Sequence, residues 1–106
     1  MTEVTATVSG NSRNHYRLEV VNHAGSHDAC VMISAIVYAL AGIIQTNPAV
    51  SVMYMDFEEG HSLIEYLATD ERGDEDFRMA VFGLMQIRKT YPNDLVVIEN
   101  VFDDAN

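Results

Sequence analysis

A chain of 106 residues, 48% of them hydrophobic, can bury one core but not comfortably two, so a single domain over residues 1–106 is expected. Its formal net charge of −10, from 16 acidic and 6 basic side chains, argues against binding nucleic acid by phosphate neutralisation. The single cysteine, Cys30, excludes an internal disulfide and a cysteine-based zinc site, and four histidines without ligand spacing predict no metal.

In chain order, Val4, Ala6 and Val8 alternate with Thr5 and Thr7, and Gly10-Asn11-Ser12 breaks the run. Tyr16, Leu18 and Val20 then alternate with Arg17 and Glu19, predicting a first hairpin. The stretch Asn22-His23-Ala24-Gly25-Ser26-His27-Asp28 has loop chemistry. From Ala29 to Ile44 no residue is charged, which predicts a buried helix that Asn47-Pro48 terminates. It falls short of the ~20 apolar residues of a membrane span, and no membrane association is expected. A helix apolar on most faces needs cover on more than one side, so a sheet beneath it and a second subunit above it are expected.

Val50 to Phe57, the turn Glu58-Glu59-Gly60 and Leu63 to Ala68 predict a second hairpin. Phe77, Ala80, Val81, Leu84, Ile87 and Tyr91 recur at helical spacing, with Asp74-Glu75-Asp76 at the start and Arg88-Lys89 at the end, as the helix dipole favours. Leu95 to Ile98 reads as a last strand before an acidic tail at Asp103-Asp104. The order ββαββαβ predicts an α+β fold with two helices packed on a sheet. The acidic runs read as solvated turns, a helix end and a tail, the methionines as core filling, and His15 and His61 as solvent-facing turn residues. The N-terminus lacks a basic and apolar leader and a lipidation pattern, so a cytoplasmic protein is expected.

Cys30 is the residue best suited to chemistry. A cysteine attacks as its thiolate, which a neighbouring histidine or a helix N-terminus favours. Asp28 reads either as the N-cap that puts Cys30 in the first helical turn or as a group orienting a histidine. The free N–H groups of that turn would also suit a developing oxyanion. His23, at the end of the preceding strand, returns through the Gly25 loop as the candidate base, with His27 second. Ser34, four residues beyond Cys30, shares its helical face, as a lining residue or as a small residue for close packing. A lone cysteine in an apolar helix is otherwise a small buried hydrophobe.

Asn22-His23-Ala24-Gly25, followed by Asp28, Cys30 and Ser34-Ala35, resembles the ribosomal-processing cysteine protease family (Prp, YsxB-like). In that family a Gly-His-Ala motif ends a strand and Asp-x-x-Cys opens a helix. Arg88-Lys89-Thr90-Tyr91-Pro92 is similar to its C-terminal signature. The resemblance implies a catalytic pair of Cys30 and His23, with Asn22, Ala24, Gly25, Asp28 and Ser34 around it, and no cofactor. It further implies a homodimer formed through helices and a protein substrate that loses an N-terminal extension. Asn22 stands where the family has glycine, the His23–Cys30 loop is shorter, Asp28 is one residue closer to Cys30, and Val31-Met32 replace small residues. The resemblance implies a ribosomal protein as substrate, and the altered loop points instead to a similar precursor, such as a phage capsid component. The alternatives are a non-catalytic dimeric module of the same fold and a redox-sensing cysteine.

Overall fold

A computed structural model of the chain describes residues 1–10 and 14–103. The expected turn residues Asn11 and Ser12 and the tail residue Asp104 lie outside the described residues. Seven elements follow in the expected order: β1 (Thr2–Gly10), β2 (Asn14–Val21), α1 (His27–Ile44), β3 (Val50–Glu58), β4 (His61–Ala68), α2 (Glu71–Thr90) and β5 (Leu95–Asp103). The strands form one mixed sheet in the order β3-β4-β2-β1-β5, antiparallel except for the parallel β1–β5 pair.

Alternation decides which face of the sheet is covered. Val4 and Ala6 of β1, Tyr16, Leu18 and Val20 of β2, and Ile64, Tyr66 and Ala68 of β4 are buried and form one core with residues of both helices. The pairs Val4↔Val20, Ala6↔Leu18 and Leu18↔Ile64 keep these side chains on a single face. The opposite face carries Arg17, Glu19, His61, Glu65 and His15, joined by the Arg17–Glu19 ion pair and by hydrogen bonds from the two histidines to Glu65 and Glu19. Both α1 and α2 therefore lie on one side, and they touch each other closely. A Cβ built at Gly83 of α2 would come within 2.8 Å of Ile36 Cδ1 of α1.

Three aromatic rings tie α2 to the sheet. Tyr16 stacks on Tyr66 with centroids 5.0 Å apart and meets Phe77 at 5.1 Å. Their hydroxyls are satisfied: Tyr16 donates to Asp74 Oδ1 at 2.9 Å and Tyr66 to the Gly73 carbonyl at 2.8 Å. Burial, then the Asp74 carboxylate, pushes the Tyr16 hydroxyl above its ordinary value; burial does the same to Tyr66.

Several boundaries and environments differ from the sequence expectations. α2 begins at Glu71, ahead of the Asp74 start, because the Asp70 side chain accepts from Gly73 N and caps the helix there. β5 runs on to Asp103, since β1 pairs with it along its whole length. Met32, Met53, Met79 and Met85 are exposed rather than core, and Met55 alone of the internal methionines packs against the core among the described residues. By length and composition α1 suffices to cross a membrane, with mean hydropathy 1.8. In the fold its stripe of Ile33, Val37, Leu40, Ala41 and Ile44 is buried in the core. Its other side leaves Val31, Met32, Tyr38 and Ile43 exposed.

Candidate active site

Where β2 ends, the chain turns into the loop that leads to α1. Asn22 takes up φ 72, the left-handed region that asparagine tolerates better than most side chains and glycine best of all. This accounts for an asparagine standing where the resembled family has glycine. The conformation is held on both sides: Asn22 N–H donates to the Gly60 carbonyl at 2.8 Å, and the Asn22 carbonyl accepts from Thr2 Oγ1 at 3.2 Å. His23 follows directly and is exposed, with its Nε2 against the β3–β4 turn. A Cβ built at Gly60 would lie 3.6 Å from it.

Ser26 starts the helix. Its backbone is extended, and its Oγ accepts from Ala29 N at 3.4 Å. This corrects the expectation that Asp28 is the N-cap: Asp28 lies inside the first turn and contributes an acidic charge to the positive end of the dipole. Asp28 is exposed, and no hydrogen bond joins it to His23 among the described residues. Cys30 is partly buried, and its own N–H donates to the Ser26 carbonyl at 3.1 Å. Of the first-turn donors, Ala29 and Cys30 are thus engaged, which leaves the N–H groups of His27 and Asp28. The Cα–Cβ bonds of a helix tilt toward its N-terminus, which suits Cys30 to the cleft at this end of α1.

Asn22, His23, Cys30 and Ser34 line one cleft of about 240 Å³ between the α1 N-terminus and the β3–β4 turn. Four of the candidate residues are therefore brought together. Ala24 packs against the core, Gly25 lies beside Asp94, and His27 and Asp28 are exposed outside the cleft lining. No hydrogen bond joins Cys30 to His23 among the described residues. No group of three or more His, Cys, Asp or Glu side chains could hold a metal among those residues.

Sequence reasoning missed several lining residues. Thr2, Tyr38, Phe57, Glu58 and Glu59 come from four separate elements and turns, and no local pattern links them. The Tyr38 and Phe57 rings meet at 5.0 Å, tying α1 to β3 along the wall. His61 is not a solvent-facing turn residue. It opens β4, and its Nε2 donates to Glu19 Oε2 at 2.8 Å. That bond holds the Glu19 carboxyl below its usual range, with smaller help from Arg17. His15 likewise sits in β2, bonded through its two ring nitrogens to Ser9 and Glu65.

No protein-family model matches the sequence, and no curated protein matches it. Solved structures do. The essential ribosomal processing protease Prp from S. aureus, in complex with a substrate peptide, is 18% identical with a TM-score of 0.73, covering 94% of this chain and all of that one. The same protease with a covalently linked product peptide is 15% identical with a TM-score of 0.73, covering 92% and 99%. SMU.848 from Streptococcus mutans is 16% identical over 96% of both chains, with a TM-score of 0.72. The chain thus has, over more than nine-tenths of its length, the α+β fold of the ribosomal processing protease, and the likeness suggested by its histidine and cysteine motifs extends to its architecture.

Proposed function

We propose that the chain is a cysteine endopeptidase that removes an N-terminal extension from a ribosomal protein or a similar precursor such as a phage capsid component. The observation that carries this reading is the single cleft lined by His23, Cys30 and Ser34 at the N-terminus of α1, in a fold shared with a peptide-bound protease. His23 accepts the Cys30 thiol proton, and the thiolate attacks the scissile carbonyl carbon. The His27 and Asp28 N–H groups, left over at the start of α1, are the candidate backbone donors for the tetrahedral oxyanion. As the C–N bond breaks, His23 returns the proton to the leaving amine. Water then hydrolyses the thioester, releases the new carboxylate and restores the thiol. No cofactor enters the cycle.

That no hydrogen bond joins Cys30 to His23 among the described residues favours a second reading, a non-catalytic dimeric module of the same fold. Catalytic contacts often tighten only when substrate binds, so the two readings separate by experiment. Wild type, Cys30→Ala and His23→Ala are incubated with N-terminally extended precursor peptides, including the ribosomal type, and products are read by mass spectrometry. Cleavage by wild type alone is expected, with both variants down at least 100-fold. An uncut panel together with slow iodoacetamide labelling of Cys30 selects the non-catalytic module.

A homodimer is part of this reading. The uncharged outer side of α1 leaves Val31, Met32 and Ile43 exposed, and the edge strand β3 leaves Val52, Met53 and Tyr54 exposed. Exposed large apolar side chains in this number support an interaction surface.

A further inference from the structure

The β1–β2 ladder stops at Glu3↔Val21. One step further, Thr2 faces Asn22, but its backbone N–H is already donated to the Asp94 carbonyl at 2.9 Å. The hydroxyl takes over where the ladder ends: Thr2 Oγ1 donates to the Asn22 carbonyl at 3.2 Å. Thr2 is a buried polar side chain at 2% exposure and lines the cleft that holds Cys30.

The Asn22 carbonyl belongs to the peptide unit that joins Asn22 to His23, so holding that oxygen fixes the plane from which the His23 backbone departs. The preceding peptide unit is fixed by Asn22 N–H on the Gly60 carbonyl. Both planes flanking the left-handed Asn22 are therefore clamped, and the Gly60 turn that anchors one of them also backs the His23 ring. His23 is exposed, and no side-chain hydrogen bond orients its imidazole among the described residues. Its direction is set by the backbone beneath it.

We propose that Thr2 is a positioning residue for His23, acting through the Asn22 carbonyl to aim the imidazole at Cys30. The inference rests on the reading of His23 and Cys30 as a working pair. Thr2→Val keeps shape and burial but removes the donor, whereas Thr2→Ser keeps the donor.

Two readouts are taken on each variant: the rate of iodoacetamide alkylation of Cys30 at pH 7, and peptide cleavage. Thr2→Val is expected to slow alkylation nearly as much as His23→Ala does. It is also expected to lower kcat about tenfold with KM little changed, in line with the cost of a misdirected catalytic group. Thr2→Ser is expected to restore both readouts to within about twofold.

If Thr2→Val alkylates at the wild-type rate while losing thermal stability, Thr2 is structural only and the proposal falls. If Thr2→Ser behaves like Thr2→Val, it falls as well. If no precursor peptide is cut by wild type but alkylation still drops in parallel in Thr2→Val and His23→Ala, the positioning role stands and the peptidase reading fails.

Discussion

At the scale of single residues, short polar side chains hold the irregular backbone around the cleft. Asn22 occupies a conformation that β-branched and bulky residues avoid, and neighbours on both sides keep it there. Glu19 shows how a sheet-face residue bears on stability. Its carboxyl is depressed first by the bond from His61 and further by Arg17. A carboxyl with a lower pKa folded than unfolded binds fewer protons in the folded state. Its stabilising contribution is therefore present above the unfolded carboxyl pKa of about 4.3 and is lost as pH falls through the folded value. Glu19→Gln is expected to be less stable than wild type near pH 6, with the gap narrowing as pH falls below the unfolded carboxyl pKa of about 4.3 in urea unfolding series. A gap that does not narrow with falling pH would show that Glu19 contributes through packing instead.

The elements are positioned mainly by their ends. Two helices are capped by polar side chains a few residues ahead of where the apolar pattern starts, Ser26 for α1 and Asp70 for α2. Capping by Ser26 aligns the first turn under Cys30, and its removal frees the Ala29 N–H. Ser26→Ala is expected to cost about 1 kcal/mol of stability, and Asp28→Ala about 0.3–0.5 kcal/mol, the value of one charge at a helix N-terminus. Chemical denaturation of the two variants reads the difference directly. A larger loss from Asp28→Ala would return the cap to Asp28. At β3 the register shifts between Val52 and Tyr54, leaving Met53 as an extra, exposed residue. Such a bulge on an edge strand discourages indiscriminate pairing while the apolar side chains around it stay available to a partner.

For the whole molecule, the apolar pattern is only partly accounted for by one chain. The open face of the sheet is dressed with hydrogen-bonded polar side chains, but the outer side of α1 and the β3 edge carry exposed apolar ones. Light scattering at micromolar concentration is expected to give twice the chain mass of 11.8 kDa, and Ile43→Glu combined with Met53→Glu is expected to give the single-chain mass, because burying an unpaired carboxylate is costly. A wild-type monomer under the same conditions would rule out the homodimer. Neither substitution touches the lining of the cleft, so loss of cleavage in a monomeric variant would tie activity to assembly.

The element order and the covered sheet face were legible in the sequence, because period-2 alternation in Val4–Val8 and Tyr16–Val20 and the 3.6-residue recurrence from Phe77 to Ile87 are local signals. So was the placing of His23 and Cys30 on one cleft: they are close in the chain, and a strand-loop-helix junction brings such residues to one place. Helix starts were misplaced because Ser26 and Asp70 are polar residues whose capping bond depends on backbone geometry. His61 and His15 read as turn residues because their partners, Glu19 and Glu65, are 42 and 50 residues away. The methionines read as core because hydrophobicity alone does not say which side of a helix or strand faces inward. Only the tertiary structure decided that Thr2 meets Asn22 and that Gly60 backs His23. Contacts between residues 20 or more positions apart follow from strand register, which the pairing of whole strands determines and no local run of residues encodes.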